Sequence, residues 1–321
     1  MEGSKNRLQQ VLSFDYGILH ILLFFLILTA FACNNEAEDD RFYPHEIFYA
    51  PNIAYGEHEL QKLDVFYRGK RTGEPNWVAR TDSSFPVALH IHGGGWLANS
   101  KANRMHDVIA YVQQGFNVVN MNYRLGPGTA PKAVEDVIRA LKWIDEHAER
   151  YGFDRSRVVL IGTSAGGHLS LIGGLLNNHP ELPWKTLSND VTVKAVVNWY
   201  GITDIAAVES YLQTRDGGSN YARTWIGDTA RIAEISRLFS PVNYATEEGG
   251  HPAILTIHGT EDTVVPFEQA ERLHKLLDRA GRPHKLLSLD GGNHGGFKDK
   301  QYKKAYRTLF HFLENQGVLQ P

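Results

Sequence analysis

The sequence has little with which to link its parts covalently, because its 321 residues include a single cysteine, Cys33. One cysteine excludes an intramolecular disulfide and a cysteine-rich zinc site, so stability must come from a buried core. Neither sign of charge is in large excess, since the formal net charge is only −3 at pH 7. Without a basic excess, the chain lacks the usual electrostatic signature of a nucleic-acid or membrane-surface binder. We therefore expect a small or uncharged partner and no nucleic acid.

Long hydrophobic runs are scarce as well, and the one in residues 18–32 lies near the N-terminus, behind Lys5 and Arg7. This run is short for a membrane span, and the small residues at its end resemble those before a signal-peptidase site. We therefore expect residues 1–32 to be a signal peptide that is removed on export.

Cys33 directly follows this segment, and the arrangement resembles a bacterial lipoprotein signal, in which the cysteine is acylated and becomes the mature N-terminus. The acidic segment 33–45 would then be a solvated tether to a membrane of the bacterial cell envelope. The protein would touch the membrane only through this lipid. Secretion without a lipid, to the periplasm or the medium, and a retained anchor remain as alternatives.

From Pro86 onward, short runs rich in β-branched residues alternate with longer segments of helical periodicity. This alternation is typical of a mostly parallel sheet covered by helices. The predicted strands are residues 63–67, 86–91, 117–122, 157–161, 193–199, 253–258 and 285–289. Residues 205–250 break the pattern, so we expect a small cap insertion there. The rest of 46–321 is predicted to form one domain.

Residues 162–167 read Gly-Thr-Ser-Ala-Gly-Gly and stand between a buried strand, 157–161, and a helical pattern that runs to Leu176. A strand, a tight turn and a helix in this order are typical of a nucleophile elbow, which lifts a serine hydroxyl clear of the sheet. The glycines on either side leave room for the tight turn. Ser164 is therefore the predicted nucleophile.

A second glycine run, from His92 to Trp96, directly follows the strand 86–91. Three glycines expose backbone N–H groups and let the chain approach a ligand closely. Together with the N–H of Ala165, which follows the predicted nucleophile, these donors can hold the oxyanion of a tetrahedral intermediate. A phosphate cradle is the rival interpretation, but no Gly-Lys-Ser/Thr follows and the glycine spacing differs from that of dinucleotide-binding loops.

A serine hydroxyl is a weak nucleophile at neutral pH and needs a histidine base that a carboxylate orients. Asp262 follows the strand 253–258, and His294 follows the strand 285–289. Both should lie at the carboxyl edge of a parallel sheet, and they stand in the chain order nucleophile, acid, histidine. These two residues are the predicted acid and base, and Glu261 remains the alternative acid.

Four motifs together resemble the α/β-hydrolase superfamily: HGGGW at 92–96, NYRL at 122–125, GTSAGG at 162–167 and HGTEDTVVP at 258–266. Within it they are similar to the acyl esterase branch of acetylxylan and feruloyl esterases, which is related to carboxylesterases of the hormone-sensitive-lipase type. The resemblance implies an α/β-hydrolase fold: a mostly parallel eight-stranded sheet with helices on both faces. It also implies that neither a metal nor an organic cofactor is needed.

The same resemblance implies a serine carboxylesterase that cleaves short acyl or hydroxycinnamoyl esters on carbohydrate through an acyl-enzyme. Its catalytic triad would be Ser164, Asp262 and His294. The oxyanion would lie on Gly94, Gly95 and Ala165. Aromatic side chains would line the substrate pocket, namely Trp96, Trp199 and Tyr200.

Two other hydrolases, a lipase-like carboxylesterase and an amide hydrolase such as an arylformamidase or exopeptidase, would use the same triad and remain as alternatives. Relatives of the hormone-sensitive lipase usually have aspartate at the position of Thr163, which disfavours the lipase. A non-enzymatic binding module on the same fold is the rival of a different class. Such modules tend to lose members of the triad, whereas this sequence has candidates for all three.

Overall fold

A computed structural model describes residues 46–69, 84–176, 191–215, 219–245 and 252–320. The chain divides into two units, residues 1–46 and 47–321, and only Glu46 of the first is described. The predicted signal peptide, tether and lipidation site at Cys33 therefore lie outside the described residues. Within the described ranges, no helix has the length and apolar character needed to cross a membrane.

Eight strands form one sheet in the order β1-β2-β4-β3-β5-β6-β7-β8. The strands are β1 (Glu46–Ala54), β2 (Lys62–Gly69), β3 (Phe85–Ile91), β4 (Asn117–Met121), β5 (Phe153–Thr163), β6 (Val193–Trp199), β7 (Ala253–Gly259) and β8 (His284–Leu289). Strand β2 is antiparallel to β4, and every pairing from β4 through β8 is parallel. The predicted α/β-hydrolase sheet is thus confirmed.

Strand β1 is the one strand that the sequence patterns did not predict. It lies at the edge of the sheet, and most of its residues are exposed or half-buried. Ile47 and Tyr49 remain about half exposed. A strand without a buried face lacks the apolar signal on which prediction from periodicity depends.

Helices cover both faces of the sheet, as predicted. They are α1 (Met105–Gln113), α2 (Ala130–Glu146), α3 (Ala148–Tyr151), α4 (Ala165–Leu176), α5 (Ile205–Thr214), α6 (Tyr221–Ile226), α7 (Ile232–Phe239), α8 (Glu268–Arg279) and α9 (Asp299–Asn315). In β3, Val87 and Leu89 pack in one apolar cluster with α2 and α4, whereas Ala88 packs in the other with α1 and α9. This alternation follows from the two-residue repeat of a strand.

The segment predicted as a cap contains α5, α6 and α7 within its described part, between β6 and β7. Buried side chains of these helices, such as Val208, Trp225 and Ile235, belong to the same apolar cluster as β2 and β3. The described part of the segment therefore packs on the main core, which fixes the position of α6 relative to the sheet.

Candidate active site

The serine predicted as nucleophile lies at the junction of β5 and α4, in a backbone conformation with a φ of 55° at Ser164. A positive φ at a residue other than glycine costs on the order of 1–3 kcal/mol, so the surroundings must hold it. The N–H of Ser164 donates to the carbonyl of Trp199 (2.8 Å), and its carbonyl accepts from the N–H of His168 (3.0 Å). These bonds tie the elbow to β6 on one side and to α4 on the other.

The glycines flanking this serine are required because the turn is crowded by backbone. A Cβ atom at Gly162 would lie 2.2 Å from the carbonyl oxygen of Gly166. At Gly166 a Cβ atom would lie 2.1 Å from the carbonyl oxygen of Ile91. Any side chain would push the elbow away from β3, which explains the glycine pattern that the sequence shows.

Ser164, His294 and Asp262, which are far apart in the sequence, are brought into one hydrogen-bonded chain. His294 Nε2 lies 2.9 Å from the hydroxyl of Ser164, and His294 Nδ1 lies 2.7 Å from Asp262 Oδ2. Since an ionised carboxylate can only accept, Nδ1 carries the proton and Nε2 of the neutral ring accepts from the serine hydroxyl. This tautomer is the one that a general base needs.

Asp262 is surrounded by donors. Its Oδ1 accepts from the N–H groups of Val264 (2.8 Å) and Val265 (2.9 Å). Its Oδ2 lies 2.7 Å from Nδ1 of His294 and 3.1 Å from Nε2 of His258. Burial acts to raise the pKa of Asp262, but the hydrogen bonds from the two histidines outweigh it and hold the pKa well below the ordinary range. The carboxylate therefore stays ionised beside His294.

The alternative acid, Glu261, is solvent-exposed, and its backbone N–H donates to the carbonyl of Gly292 (2.9 Å). The loop after β7 is also bonded to the loop after β8, since the N–H of Thr260 donates to the carbonyl of Leu289 (3.1 Å) and its hydroxyl accepts from the N–H of Gly291 (3.0 Å). These bonds fix the position of the aspartate relative to the histidine. Of the two neighbouring acids, only Asp262 contacts His294.

The predicted oxyanion loop borders the same cavity as the serine. Gly94 and Gly95 have φ values of 119° and 60°, which turn the chain after β3. The N–H groups of Gly94, Gly95 and Ala165 donate to no other described residue. They are therefore free to donate to an oxyanion beside the serine, which is the role predicted for them.

Two of the three aromatic residues predicted to line the pocket do not line it. Trp96 is fully buried and stacks on Trp225 of α6, with ring centroids 4.1 Å apart. Trp199 is also buried, in the apolar cluster beneath α9, and its ring centroid lies 5.4 Å from that of Tyr306. Both predictions are wrong for the same reason: proximity in sequence to the glycine run or to a strand end does not tell which way a large ring points.

The third aromatic residue, Tyr200, does border the cavity. Its φ of 41° turns the chain at the end of β6, and its N–H donates to the carbonyl of Ile257 (2.8 Å). The ring meets His294 edge-on, with centroids 4.8 Å apart. Tyr200 thus packs against the ring of the catalytic histidine.

The cavity has a volume of about 470 Å³. Sequence patterns missed several residues of its wall: Asn99, Asn103, Arg104, Ser219, Tyr221 and Val264. Ser219 and Tyr221 belong to the predicted cap and Val264 to the acid motif, whereas the segment after the glycine run, which carries the other three, had no predicted role. The patterns carried no signal for which members of those segments face the cavity.

Two buried histidines near the site do not belong to the proton relay. Burial lowers the pKa of His92 to about 4, and its Nδ1 lies 2.7 Å from the carbonyl of Gly93. Burial also lowers the pKa of His168 to about 4, and its Nε2 lies 2.8 Å from the carbonyl of Phe239. Both are neutral near pH 7, and they brace the oxyanion loop and the elbow helix.

This arrangement can activate a serine hydroxyl and receive negative charge next to it. Among the described residues, no group of three or more His, Cys, Asp or Glu side chains is placed to hold a metal ion. Proton transfer from Ser164 to His294, with Asp262 as the orienting anion, is the chemistry that the geometry supports.

Comparison with known proteins identifies a matching family and relatives that are named as esterases. Residues 77–277 match the BD-FAE family. Esterase LipC of Mycobacterium tuberculosis is 32% identical over 251 residues, which are 76% of this chain and 59% of LipC. The probable carboxylic ester hydrolase LipM of the same organism is 29% identical over 68% of this chain and 49% of its own length. The chain thus spans about half to three fifths of the length of these relatives.

Among solved structures, a truncated form of a carbohydrate esterase from gut microbiota superposes with a TM-score of 0.66. The sequence identity is 26%, and the match covers 86% of this chain and 98% of that one. The similarity therefore extends over nearly the whole of the other protein.

Proposed function

Because this chain belongs to the BD-FAE family of α/β-hydrolases, we propose that it is a serine carboxylesterase that cleaves short acyl or hydroxycinnamoyl esters on carbohydrate. The observation that carries the proposal is the hydrogen-bonded chain Ser164, His294 and Asp262, with contacts of 2.9 and 2.7 Å. A buried, ionised aspartate and a glycine loop whose N–H groups at Gly94 and Gly95 donate to no other described residue complete the requirements of acyl transfer.

Acylation begins when the Oγ of Ser164 attacks the ester carbonyl carbon and its proton passes to Nε2 of His294. The carbonyl oxygen becomes an oxyanion, which accepts from the N–H groups of Gly94, Gly95 and Ala165. When the tetrahedral intermediate collapses, the bond to the alcohol oxygen breaks. The alcohol leaves with the proton that His294 returns to it, and the acyl group remains on the serine.

Deacylation repeats these steps with water in place of the alcohol. His294 takes a proton from water while the oxygen attacks the acyl carbonyl, and then returns it to Ser164 as the carboxylic acid leaves. Each donor at an oxyanion is worth about 10²–10³ in kcat when it acts in a site from which water is excluded. The glycine loop therefore contributes to both halves of the reaction.

A carbohydrate ester is favoured by two observations. The cavity wall carries amide and hydroxyl groups from Asn99, Asn103 and Ser219, which suit sugar hydroxyls better than an acyl chain. The gut carbohydrate esterase with a TM-score of 0.66 is named for substrates of this class.

The proposal is tested with a panel of 4-nitrophenyl acetate, butyrate and decanoate beside acetylated xylan and methyl ferulate. We expect kcat/KM to fall gradually with acyl length, because one methylene changes transition-state binding in an apolar pocket by about 1–3 kcal/mol. Release of acetate from xylan or of ferulate from its methyl ester is also expected. Faster cleavage of decanoate than of acetate, with neither acetylated xylan nor methyl ferulate cleaved, would assign the protein to the lipase-like carboxylesterases.

An amide hydrolase is the second candidate, since Asp262 and His294 would serve it equally well. Acyl-peptide and N-formylarylamine substrates at the same enzyme concentration decide between the two. The proposed esterase should turn over 4-nitrophenyl acetate with the higher kcat/KM, and the opposite ranking would contradict it.

We also propose that the protein is exported and anchored through a lipid on Cys33, which rests on the apolar run and the cysteine behind it. The full chain should then partition with membranes, and Cys33→Ser should release it into the soluble fraction. Mass spectrometry that detects an unmodified Cys33 in the mature protein would contradict the lipid.

A further inference from the structure

Arg104 lies in the wall of the active-site cavity together with Ser164 and His294. It ends a short 3₁₀ turn, Lys101–Arg104, that follows the oxyanion loop and leads into α1. Its side chain is about three quarters buried, with 24% exposure. The mechanism derived above gives this cation no role.

The guanidinium of Arg104 is hydrogen-bonded to the protein through Nε only, among the described residues. Its Nε donates to Oδ2 of Asp107, which is buried at 3% exposure and also accepts the hydroxyl of Tyr306. Nη1 and Nη2 of Arg104 donate to no other described residue. Since a guanidinium has five N–H donors, this pairing leaves the terminal groups for a ligand.

The turn that carries Arg104 is itself fixed from several sides. The N–H of Lys101 donates to Asn122 (2.6 Å), and its carbonyl accepts from the amide of Asn120 (2.7 Å). Its ammonium group forms a buried ion pair with Asp64 at 2.8 Å. A ligand that binds the guanidinium therefore meets a preorganised donor, which reduces the entropy lost on binding.

Asp107, the carboxylate paired with Arg104, does not border the cavity. No Asp or Glu borders the described cavity, and Arg104 is the only Lys or Arg that does. On the same turn, the carbonyl oxygen of the Asn103 side chain accepts from the N–H of Ser100 (2.7 Å), so its NH₂ group is left as a second donor among the described residues. This side of the wall offers hydrogen-bond donors, among them a guanidinium that is paired with Asp107 through Nε only.

We propose that Arg104 is a specificity-determining residue that binds a carboxylate of the substrate, so that the preferred esters are acidic. The proposal rests on the esterase function proposed above. The planar, parallel N–H groups of a guanidinium match a carboxylate with two hydrogen bonds. The carboxylate belongs to the alcohol half, as in an acylated glycan with uronic acid residues, or to the acyl half, as in a dicarboxylic half ester.

Two matched pairs of esters test the proposal and separate the two sources. For the acyl half, mono-4-nitrophenyl glutarate is compared with 4-nitrophenyl pentanoate. For the alcohol half, 4-acetoxybenzoate is compared with 4-acetoxybenzamide. In at least one pair, the wild-type enzyme should prefer the acidic member in kcat/KM, and this pair identifies the half that carries the carboxylate.

The decisive readout is the ratio of kcat/KM values within a pair. Arg104→Gln should lower the ratio by about 10- to 100-fold, which is the worth of a charge-assisted hydrogen bond to a carboxylate. Arg104→Lys retains the charge but not the paired donors, so it should lower the ratio less. Arg237→Gln removes the same charge from an exposed position on α7 and should leave the ratio unchanged.

A merely structural role for Arg104, through Asp107, would lower kcat/KM for both members of a pair together and leave the ratio as it is. An unchanged ratio in Arg104→Gln, or a wild-type preference for the neutral member in both pairs, overturns this inference while the esterase function stands. If the wild-type enzyme cleaves none of the four esters, the proposed function fails and this inference with it.

Discussion

The cavity has two walls that differ in how their polar groups are satisfied. The catalytic wall presents Ser164 and His294, with Asp262 behind the histidine, and these residues bond their polar atoms to one another. The binding wall, which follows β3, presents the N–H group of Gly94 and the Nη groups of Arg104, which donate to no other described residue, whereas Nε of Arg104 donates to Asp107. An unmet donor away from water costs about 1–3 kcal/mol, so such groups are tolerated where solvent or a ligand supplies the acceptor.

This difference corresponds to the two tasks of a hydrolase. Proton transfer needs partners that are already in contact, because the tautomer and the distance must be set before the substrate arrives. Recognition and oxyanion stabilisation need donors directed at groups that the protein does not itself contain. Each substitution described below alters only one of the two walls.

The largest effect is expected on the catalytic wall. Ser164→Ala should lower kcat by up to about 10⁶-fold and abolish fluorophosphonate labelling, because the triad acts as a unit. Ser170→Ala, on the helix α4 that follows the nucleophile, is the matched control, since the Oγ of Ser170 is buried without a described partner and should not react. Labelling that persists in the Ser164 variant would show that the nucleophile is another residue.

The next effect separates the two neighbouring acids. Asp262→Asn should lower kcat by about 10³–10⁴-fold, because the amide favours the wrong tautomer of His294. Glu261→Gln is its control and should change kcat little, since this side chain is exposed. The reverse ranking would contradict the acid assignment.

On the binding wall, a single methyl group should displace the oxyanion loop. In Gly94→Ala, the added Cβ would lie 2.1 Å from the carbonyl oxygen of Ala98, and the loop must shift. We expect kcat for 4-nitrophenyl acetate to fall by about 10²–10³-fold, the worth of an oxyanion donor. Gly115→Ala is matched for backbone strain, because Gly115 also has a positive φ, of 98°, but its Cβ would meet nothing within 4 Å.

If the Gly115 variant lost as much activity as the Gly94 variant, strain in the fold rather than displacement of the loop would be responsible. Thermal unfolding of both variants provides the independent measure. Both variants should lose stability, Gly94→Ala the more because it adds a backbone clash, whereas only Gly94→Ala should lose kcat in the folded protein.

The smallest expected effect is on the pH dependence of the free energy of unfolding, through the buried side chain of His92. Burial lowers the pKa of His92 to about 4, whereas an unfolded histidine has a pKa of about 6.5. Between these values the unfolded chain binds more protons than the folded chain. The stability that neutral His92 contributes is therefore complete above pH 6.5 and is lost as the pH falls toward 4. The loss amounts to at most about 3 kcal/mol.

His92→Asn removes this titration and retains a side-chain donor for the carbonyl of Gly93. Urea unfolding between pH 7 and pH 4 should show that the wild-type protein loses more free energy of unfolding than the variant does. Parallel curves would contradict the assignment of this pH dependence to His92.

Much of the fold could be predicted because strands with buried faces leave a local pattern. Strands β3 to β8 are apolar runs between turns, and the predicted segments lie within them or extend at most one residue beyond. Strand β1 lies at the sheet edge and has no fully buried residue, although Phe48 and Tyr49 pack on aromatic rings of β2. Hydrophobic periodicity reflects which residues are buried, so it does not reveal a strand whose residues are mostly exposed.

The sequence by itself determined the nucleophile, the histidine and the chain order of the triad, and it narrowed the acid to Asp262 or Glu261. The reason is that the elbow, the acid loop and the histidine loop are each defined within a few neighbouring positions. Only the tertiary structure decided that Asp262 rather than Glu261 meets His294, that Trp96 turns into the core, and that Arg104 borders the cavity. Each of these outcomes depends on the direction of a side chain relative to elements that are distant in the chain. Local patterns fix the backbone of a loop, whereas packing against those distant elements fixes where its side chains point.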